Sequence, residues 1–180
     1  MGKDLTCVVA GFGGQGSLFA GKVIATAGLI EDREVSWMPS YGPEMRGGTA
    51  NCSVVLSTER VGSPVFARPS ELIVLNLPSL LKFQDDVQPG GMIFVNSSVI
   101  EEKVERQDVT TYYVPCSEIA EKVGNPKASN MVMLGAYVAG TKVLKAETIE
   151  KMIQEMFTGA KAKFVPLNIE AFRRGMACVQ

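Results

Sequence analysis

The chain has 180 residues, 46% of them hydrophobic and 21% charged, with a formal net charge of −1. That length suits one domain spanning 1–180 with a full core, and the near-neutral balance gives no electrostatic basis for nucleic acid or an anionic membrane as partner. There is no histidine, which removes the imidazole base and every Ser-His or Cys-His nucleophile pair. Along the chain, Leu5–Ala10 is an apolar run that reads as a first strand, and Ser17–Ile30 carries Leu18, Val23, Ala27 and Ile30 as a helix laid on a sheet. Between them stands Gly11-Phe12-Gly13-Gly14-Gln15-Gly16, which fits G-x-G-x-x-G. In that pattern glycines permit a tight turn and close approach to a phosphate, and the free N–H groups of the following helix favour an anion. The same glycines also serve simply to pack a helix close to its strand, and both readings stay open here.

Glu34–Met38 is the second strand, ending at Pro39-Ser40. A dinucleotide site needs a carboxylate at the far end of this strand. Asp32 and Glu34 fall before or at its start, which counts against NAD. The stretch Pro39–Gly48 is rich in proline and glycine yet carries Tyr41, Glu44 and Arg46, side chains a plain connector does not need. Thr49–Ser57 alternates as a third strand. Leu72–Leu75 and Met92–Asn96 are short continuous apolar runs of the kind buried on both faces. Pro78 opens a short helix through Phe83, Thr111–Val114 is the last strand, and Ser117 is a candidate N-cap for the next helix.

The last third turns helical: Asn130–Lys142, Ala146–Phe157 with Ile149, Met152, Ile153 and Met156 on one face, and a final helix through Arg174 with Asn168 as its candidate cap. The alternation predicts an α/β domain, three-layered, with a mainly parallel Rossmann-like sheet and helices on both faces. The glycine turn and the 39–48 segment are then expected to share one crevice at the carboxyl ends of strands one and two. Cys7, Cys52, Cys116 and Cys178 are scattered with no C-x-x-C pair, so no metal site is assigned. Asp, Glu, Lys or Tyr remain able to catalyse, but no carboxylate pair stands out and no catalytic residue is assigned. No stretch has the ~20 apolar residues of a spanning helix, and reduced thiols in a cytoplasmic protein are expected.

Three segments carry a family resemblance: the glycine hexapeptide, Ser36–Ala50 (SWMPSYGPEMRGGTA) and Asn96-Ser97-Ser98, with Asn130-Met131 and Leu134–Ala136 adding support. On these the chain resembles the gamma subunit of the 2-oxoacid:ferredoxin oxidoreductases. The loop wording looks most like the 2-oxoglutarate type, with the branched-chain 2-oxoacid type next. The resemblance implies a complex with alpha, beta and often delta subunits that decarboxylates a 2-oxoacid on thiamine diphosphate with Mg. Such a complex passes electrons through Fe–S clusters to ferredoxin and forms an acyl-CoA. Neither a thiamine motif nor cluster cysteines occur here, so those cofactors are expected on partner subunits, and this chain alone is expected to be inert. Its expected share is coenzyme A binding by Gly11, Gly13, Gly14, Gln15, Gly16, Tyr41, Arg46, Gly47 and Gly48, with Glu44 orienting Arg46. The alternatives are a purely structural assembly subunit and a stand-alone Rossmann-like nucleotide-binding protein. Trp37, Met38, Tyr41 and Met45 are candidate interface residues, toward partner subunits or a second copy in a homodimer, with Trp37 equally suited to the core.

Overall fold

The computed structural model describes residues 4–40 and 49–179. Six strands form one sheet: β1 (Leu5–Phe12), β2 (Glu34–Ser40), β3 (Thr49–Ser57), β4 (Glu71–Val74), β5 (Met92–Asn96) and β6 (Thr110–Val114). Their order across the sheet is β2-β3-β1-β4-β5-β6. β1, β4, β5 and β6 run parallel, whereas β3 is antiparallel to both β1 and β2. Only β3 is reversed, so the sheet is mixed and mainly parallel. The physical reason is chain length. A parallel neighbour needs a crossover of a dozen or more residues, and only eight, 41–48, separate Ser40 from Thr49.

Six α-helices surround the sheet: α1 (Ser17–Ile30), α2 (Leu77–Phe83), α3 (Cys116–Val123), α4 (Ser129–Thr141), α5 (Ala146–Met156) and α6 (Val165–Ala177). Strand periodicity sorts the core onto two faces. Cys7 and Val9 of β1 point with Cys52, Val54 and Leu56 of β3 into a large cluster with α1 and α3–α6. Val8 and Ala10 point the other way, with Leu72, Val74, Ile93 and Val95, onto Leu80 of α2 and onto Val87 and Ile100. The layers are therefore unequal, five helices against one. β4 is buried at all four positions, as its continuous apolar run requires.

Two sequence expectations need correction at helix starts. Ser117 lies inside α3, whose N-cap is Pro115. The cap comes instead from Ser98, whose Oγ accepts from the N–H groups of Ser117 (3.1 Å) and Glu118 (3.4 Å). Asn168 lies inside α6, which begins at Val165 with a proline in its first turn, a position that proline favours. The Asn168 amide donates to the Phe164 carbonyl one turn back, at 2.9 Å. A 3₁₀ segment, Gly159–Phe164, also precedes α6.

The tightest joint is α4 on α6. A Cβ placed on Gly135 would sit 1.9 Å from the Phe172 carbonyl oxygen, and one on Gly175 would sit 1.8 Å from that of Val132. Main chain meets main chain here, so no rotamer change can make room for a methyl group. Gly135→Ala is expected to destabilise by about 3 kcal/mol, the upper end for overpacking. Urea unfolding followed by circular dichroism checks this, with Gly62→Ala, which meets open space, as the near-neutral comparison.

Candidate functional site

The glycine turn sits at the carboxyl end of β1. Gly14 (φ 89°) and Gly16 (φ 84°) both occupy the left-handed region, which costs a residue with a Cβ roughly 1–2 kcal/mol. Gly16 is also the N-cap of α1, and a Cβ there would lie 2.7 Å from Asn130 Nδ2. A Cβ on Gly11 would lie 2.9 Å from Gln15 Oε1, so this glycine serves packing, whereas Gly13 and Gly14 are exposed at the tip.

Gln15 fastens the turn. Its Oε1 accepts from the Phe12 N–H at 2.7 Å, and its Nε2 donates to the Leu75 carbonyl of the neighbouring parallel run at 3.0 Å. Its own N–H is donated to the Phe12 carbonyl at 3.2 Å. Of the residues expected at coenzyme A, Gln15 thus has its main-chain N–H committed within the turn. The first bond of α1 runs from the Ala20 N–H to the Gly16 carbonyl at 2.9 Å. The N–H groups of Gly14, Gly16, Ser17 and Leu18 have no acceptor among the described residues. No acidic residue lies in the first turn of α1, so no carboxylate competes for the partial positive charge at that helix end.

Tyr41, Glu44, Arg46, Gly47 and Gly48 lie outside the described residues. The described ends of that segment are at the glycine turn. Ser40 pairs with Asn51, and Gly11 and Phe12 pair with Ala50 and Thr49. Ser17 ties the two together, its hydroxyl donating to the Ala50 carbonyl at 3.0 Å. Glu34 pairs with Ser57, at the opposite end of the sheet, as its place at the start of β2 required. Trp37 packs on the α1-side core, while Met38 is 41% exposed. Trp37 is thus half-buried against the core, and of the described interface candidates Met38 is the more exposed.

Sequence reasoning missed several residues of this end. Asn76 caps α2 by accepting from the Ser79 N–H at 2.9 Å, and both side chains are buried. Asn76 Nδ2 and Ser79 Oγ have no partner among the described residues. The signal was present, since an Asn before Leu-Pro-Ser is a readable helix start. The role of Asn96-Ser98 needed the fold: Asn96 Oδ1 accepts from the Ser98 N–H at 3.3 Å and holds the hydroxyl that caps α3. No group of three His, Cys, Asp or Glu side chains able to hold a metal occurs among the described residues, and all four cysteines are free thiols.

Burial governs the thiols beneath the site. Cys52 lies under the start of α1, its Sγ 3.7 Å from the Ser17 carbonyl. Desolvation pushes its pKa up to about 11, partly offset by the Trp37 indole N–H. Cys7 is pushed well up by burial too, with Glu71 and Cys52 adding to the effect.

Two outcomes follow for this end of the sheet. Gln15→Leu leaves the Phe12 N–H and the Leu75 carbonyl unpaired and is expected to cost about 1–3 kcal/mol, read as a lowered melting temperature. For Cys52 the folded pKa lies above the unfolded one, so the folded state holds the proton longer. Its contribution is complete below about pH 9 and is lost as pH rises toward 11, amounting to about 2–3 kcal/mol. Urea midpoints at pH 8 and pH 10.5 should show this loss, and Cys52→Ala should shrink it.

A scan against family models matches residues 6–178 to pyruvate ferredoxin/flavodoxin oxidoreductase. The chain is 44% identical to ketoisovalerate oxidoreductase subunit VorA of Methanothermobacter thermautotrophicus over 93% of its own length and 35% of that protein. The chain thus spans about a third of the ketoisovalerate relatives it matches. It is 35% identical to 2-oxoglutarate synthase subunit KorC of Methanocaldococcus jannaschii, covering 93% of this chain and 89% of the other. Among solved structures, the gamma subunit of a keto/oxoacid ferredoxin oxidoreductase from Geobacter sulfurreducens superposes with a TM-score of 0.83 at 30% identity, covering 97% and 98% of the two chains. The 2-oxoglutarate:ferredoxin oxidoreductase of Magnetococcus marinus, solved with 2-oxoglutarate, coenzyme A and succinyl-CoA bound, gives 0.89 at 26% identity over 98% of this chain and 31% of that one. By fold, by motif and by a match that runs almost end to end, the chain belongs to the pyruvate ferredoxin/flavodoxin oxidoreductase family.

Proposed function

We propose that this chain is the gamma-type subunit of a cytoplasmic 2-oxoacid:ferredoxin oxidoreductase, a single domain that contributes the coenzyme A-binding end of the sheet. The observation that carries the reading is the set of N–H groups without an acceptor among the described residues at Gly14, Gly16 and Leu18, with the described ends of the 41–48 segment, Ser40 and Thr49, beside them. A pyrophosphate needs several donors in a small space, and a glycine turn at a helix start supplies them. Arg46 adds a planar fork suited to a phosphate oxygen pair, with Tyr41, Gly47 and Gly48 at the same ligand. Thiamine diphosphate, Mg and the Fe–S clusters belong in this reading to alpha, beta and delta partners, with ferredoxin as electron acceptor. The chain alone is inert in this reading, because it carries neither a thiamine motif nor cluster cysteines. Among the described residues no helix is long and apolar enough to cross a membrane.

Two substrate classes are in play. The wording of the 36–50 segment favours 2-oxoglutarate, while the higher identity to the ketoisovalerate relatives supports a branched-chain 2-oxoacid. Activity of the reconstituted complex on both acids separates them. A second reading, a purely structural assembly subunit, draws on Met38, exposed on the edge strand β2, where aromatics and Met serve interface cores.

The deciding experiment is Arg46→Ala in the reconstituted complex. Loss of one charge-assisted bond is expected to raise the apparent constant for coenzyme A about 10- to 150-fold, with that for the 2-oxoacid little changed. Unchanged affinity for coenzyme A together with dissociation of the complex would establish the assembly reading instead.

A further inference from the structure

Behind the glycine turn, on the helical face of the sheet, lies a groove of about 340 Å³ bounded by α1, α4, α6 and the two 3₁₀ segments Pro126–Ala128 and Gly159–Phe164. That volume is within the range of small-molecule sites. Its chemistry is specific. Two lysines, Lys127 and Lys161, stand in its lining, and among the described residues no carboxylate does. The amides of Asn125, Asn130 and Asn168 and the side chains of Phe19, Met131, Phe157 and Phe164 also line it.

The groove is continuous with the first turn of α1. Phe19 of that turn lines it, and Asn130, also in its wall, has its amide against Gly16. The other large groove beside α1, bounded by Val23, Ile30, Met152 and Met156, is mainly apolar and has a carboxylate, Glu155, as well as a lysine, Lys22, in its lining. The two grooves share Phe19 but differ in what they can recognise.

We propose that the groove of Lys127 and Lys161 binds a phosphorylated nucleoside. The base would lie against the Phe157 and Phe164 rings, since every nucleobase offers a π-face to an aromatic side chain. The carboxamides of Asn125 and Asn130 each carry a donor and an acceptor, the pair that reads an adenine edge. The phosphate meets the lysines, which act as point charges and need no fixed fork. The chemistry has two possible sources: the phosphoadenosine end of coenzyme A or a free adenine nucleotide. Where the source is coenzyme A this rests on the proposed function and deepens it, and where the source is a free nucleotide it goes beyond it, Lys127 and Lys161 lying outside the glycine turn.

The probe is adenosine 3′,5′-bisphosphate, titrated calorimetrically into the full chain. Saturable one-to-one binding is expected, weakened about 5- to 20-fold by Lys127→Gln and again by Lys161→Gln. Both lysines are exposed, so these variants should keep the melting temperature of the parent. Lys151→Gln, on the exposed face of α5, should leave binding unchanged. An absence of binding overturns the proposal, and so does equal weakening by Lys151→Gln, which would mean diffuse attraction. Full displacement by inorganic phosphate at equal concentration overturns it too, because the nucleoside would then add nothing. Competition between the bisphosphate and coenzyme A assigns the groove to the coenzyme's adenosine end, and simultaneous binding assigns it to a free nucleotide. An Arg46→Ala variant that loses coenzyme A yet keeps the bisphosphate separates this site from the glycine-turn reading.

Discussion

The reversal of β3 is the constraint from which the geometry of this protein follows. Eight residues cannot carry the chain from the top of β2 to the bottom of a parallel neighbour, so β3 starts where β2 ends. It is inserted between β2 and β1, and pairs Thr49 and Ala50 with Phe12 and Gly11. Both ends of the 41–48 segment are thereby fixed next to the glycine turn. In a doubly wound sheet β2 would itself lie beside β1. Here α1 must span β3 to reach β2, and it carries the buried residues Ala20, Val23, Ile24 and Ala27 across that face.

The same end of the sheet is held by side chains that cap and clamp. Gln15 joins the turn to the strand beyond it, Ser17 joins α1 to β3, Asn76 caps α2, and Ser98 caps α3. Each satisfies main-chain groups that a helix or strand end leaves open. The N–H groups left over at Gly14 and Gly16 stand out because their neighbours are so fully used. They are where an incoming anion finds donors without displacing an internal bond.

Much of this was legible in the residues themselves. Thr49–Ser57 and Met92–Asn96 are strands over the very ranges that alternation and apolar continuity indicate, and α1 begins at Ser17 directly after the glycines. The faces of α5 follow from Ile149, Met152 and Ile153. What the local pattern misassigned were caps. Ser117 has the right chemistry for a cap, but the hydroxyl that does the work comes from Ser98, 19 residues earlier. No window on the sequence around α3 contains that bond. Asn168 is a different case, since Pro166 already marked the true first turn, and the amide instead bonds back within its own helix. At the site, the glycines and their turn were readable from spacing. The double commitment of Gln15 was not, because one of its partners, Leu75, is 60 residues away.

Charge shows why bulk properties were silent about this site. A net charge of −1 excludes a generally basic surface, yet an anion responds to the few charges and dipoles within a Debye length of about 8–10 Å. α3 and α5 begin with Glu118 and Glu147 in their first turns, whereas α1 has no acid there. α2, α4 and α6 likewise have none, so α1 is one of several helix starts that no first-turn carboxylate compensates. Lys127, in the groove beside the first turn of α1, adds to the same local field. The near-neutral total is thus compatible with a small, locally positive region beside the first turn of α1, at the sheet end where the reversal of β3 brings Ser40, Thr49 and Ala50 to the glycine turn.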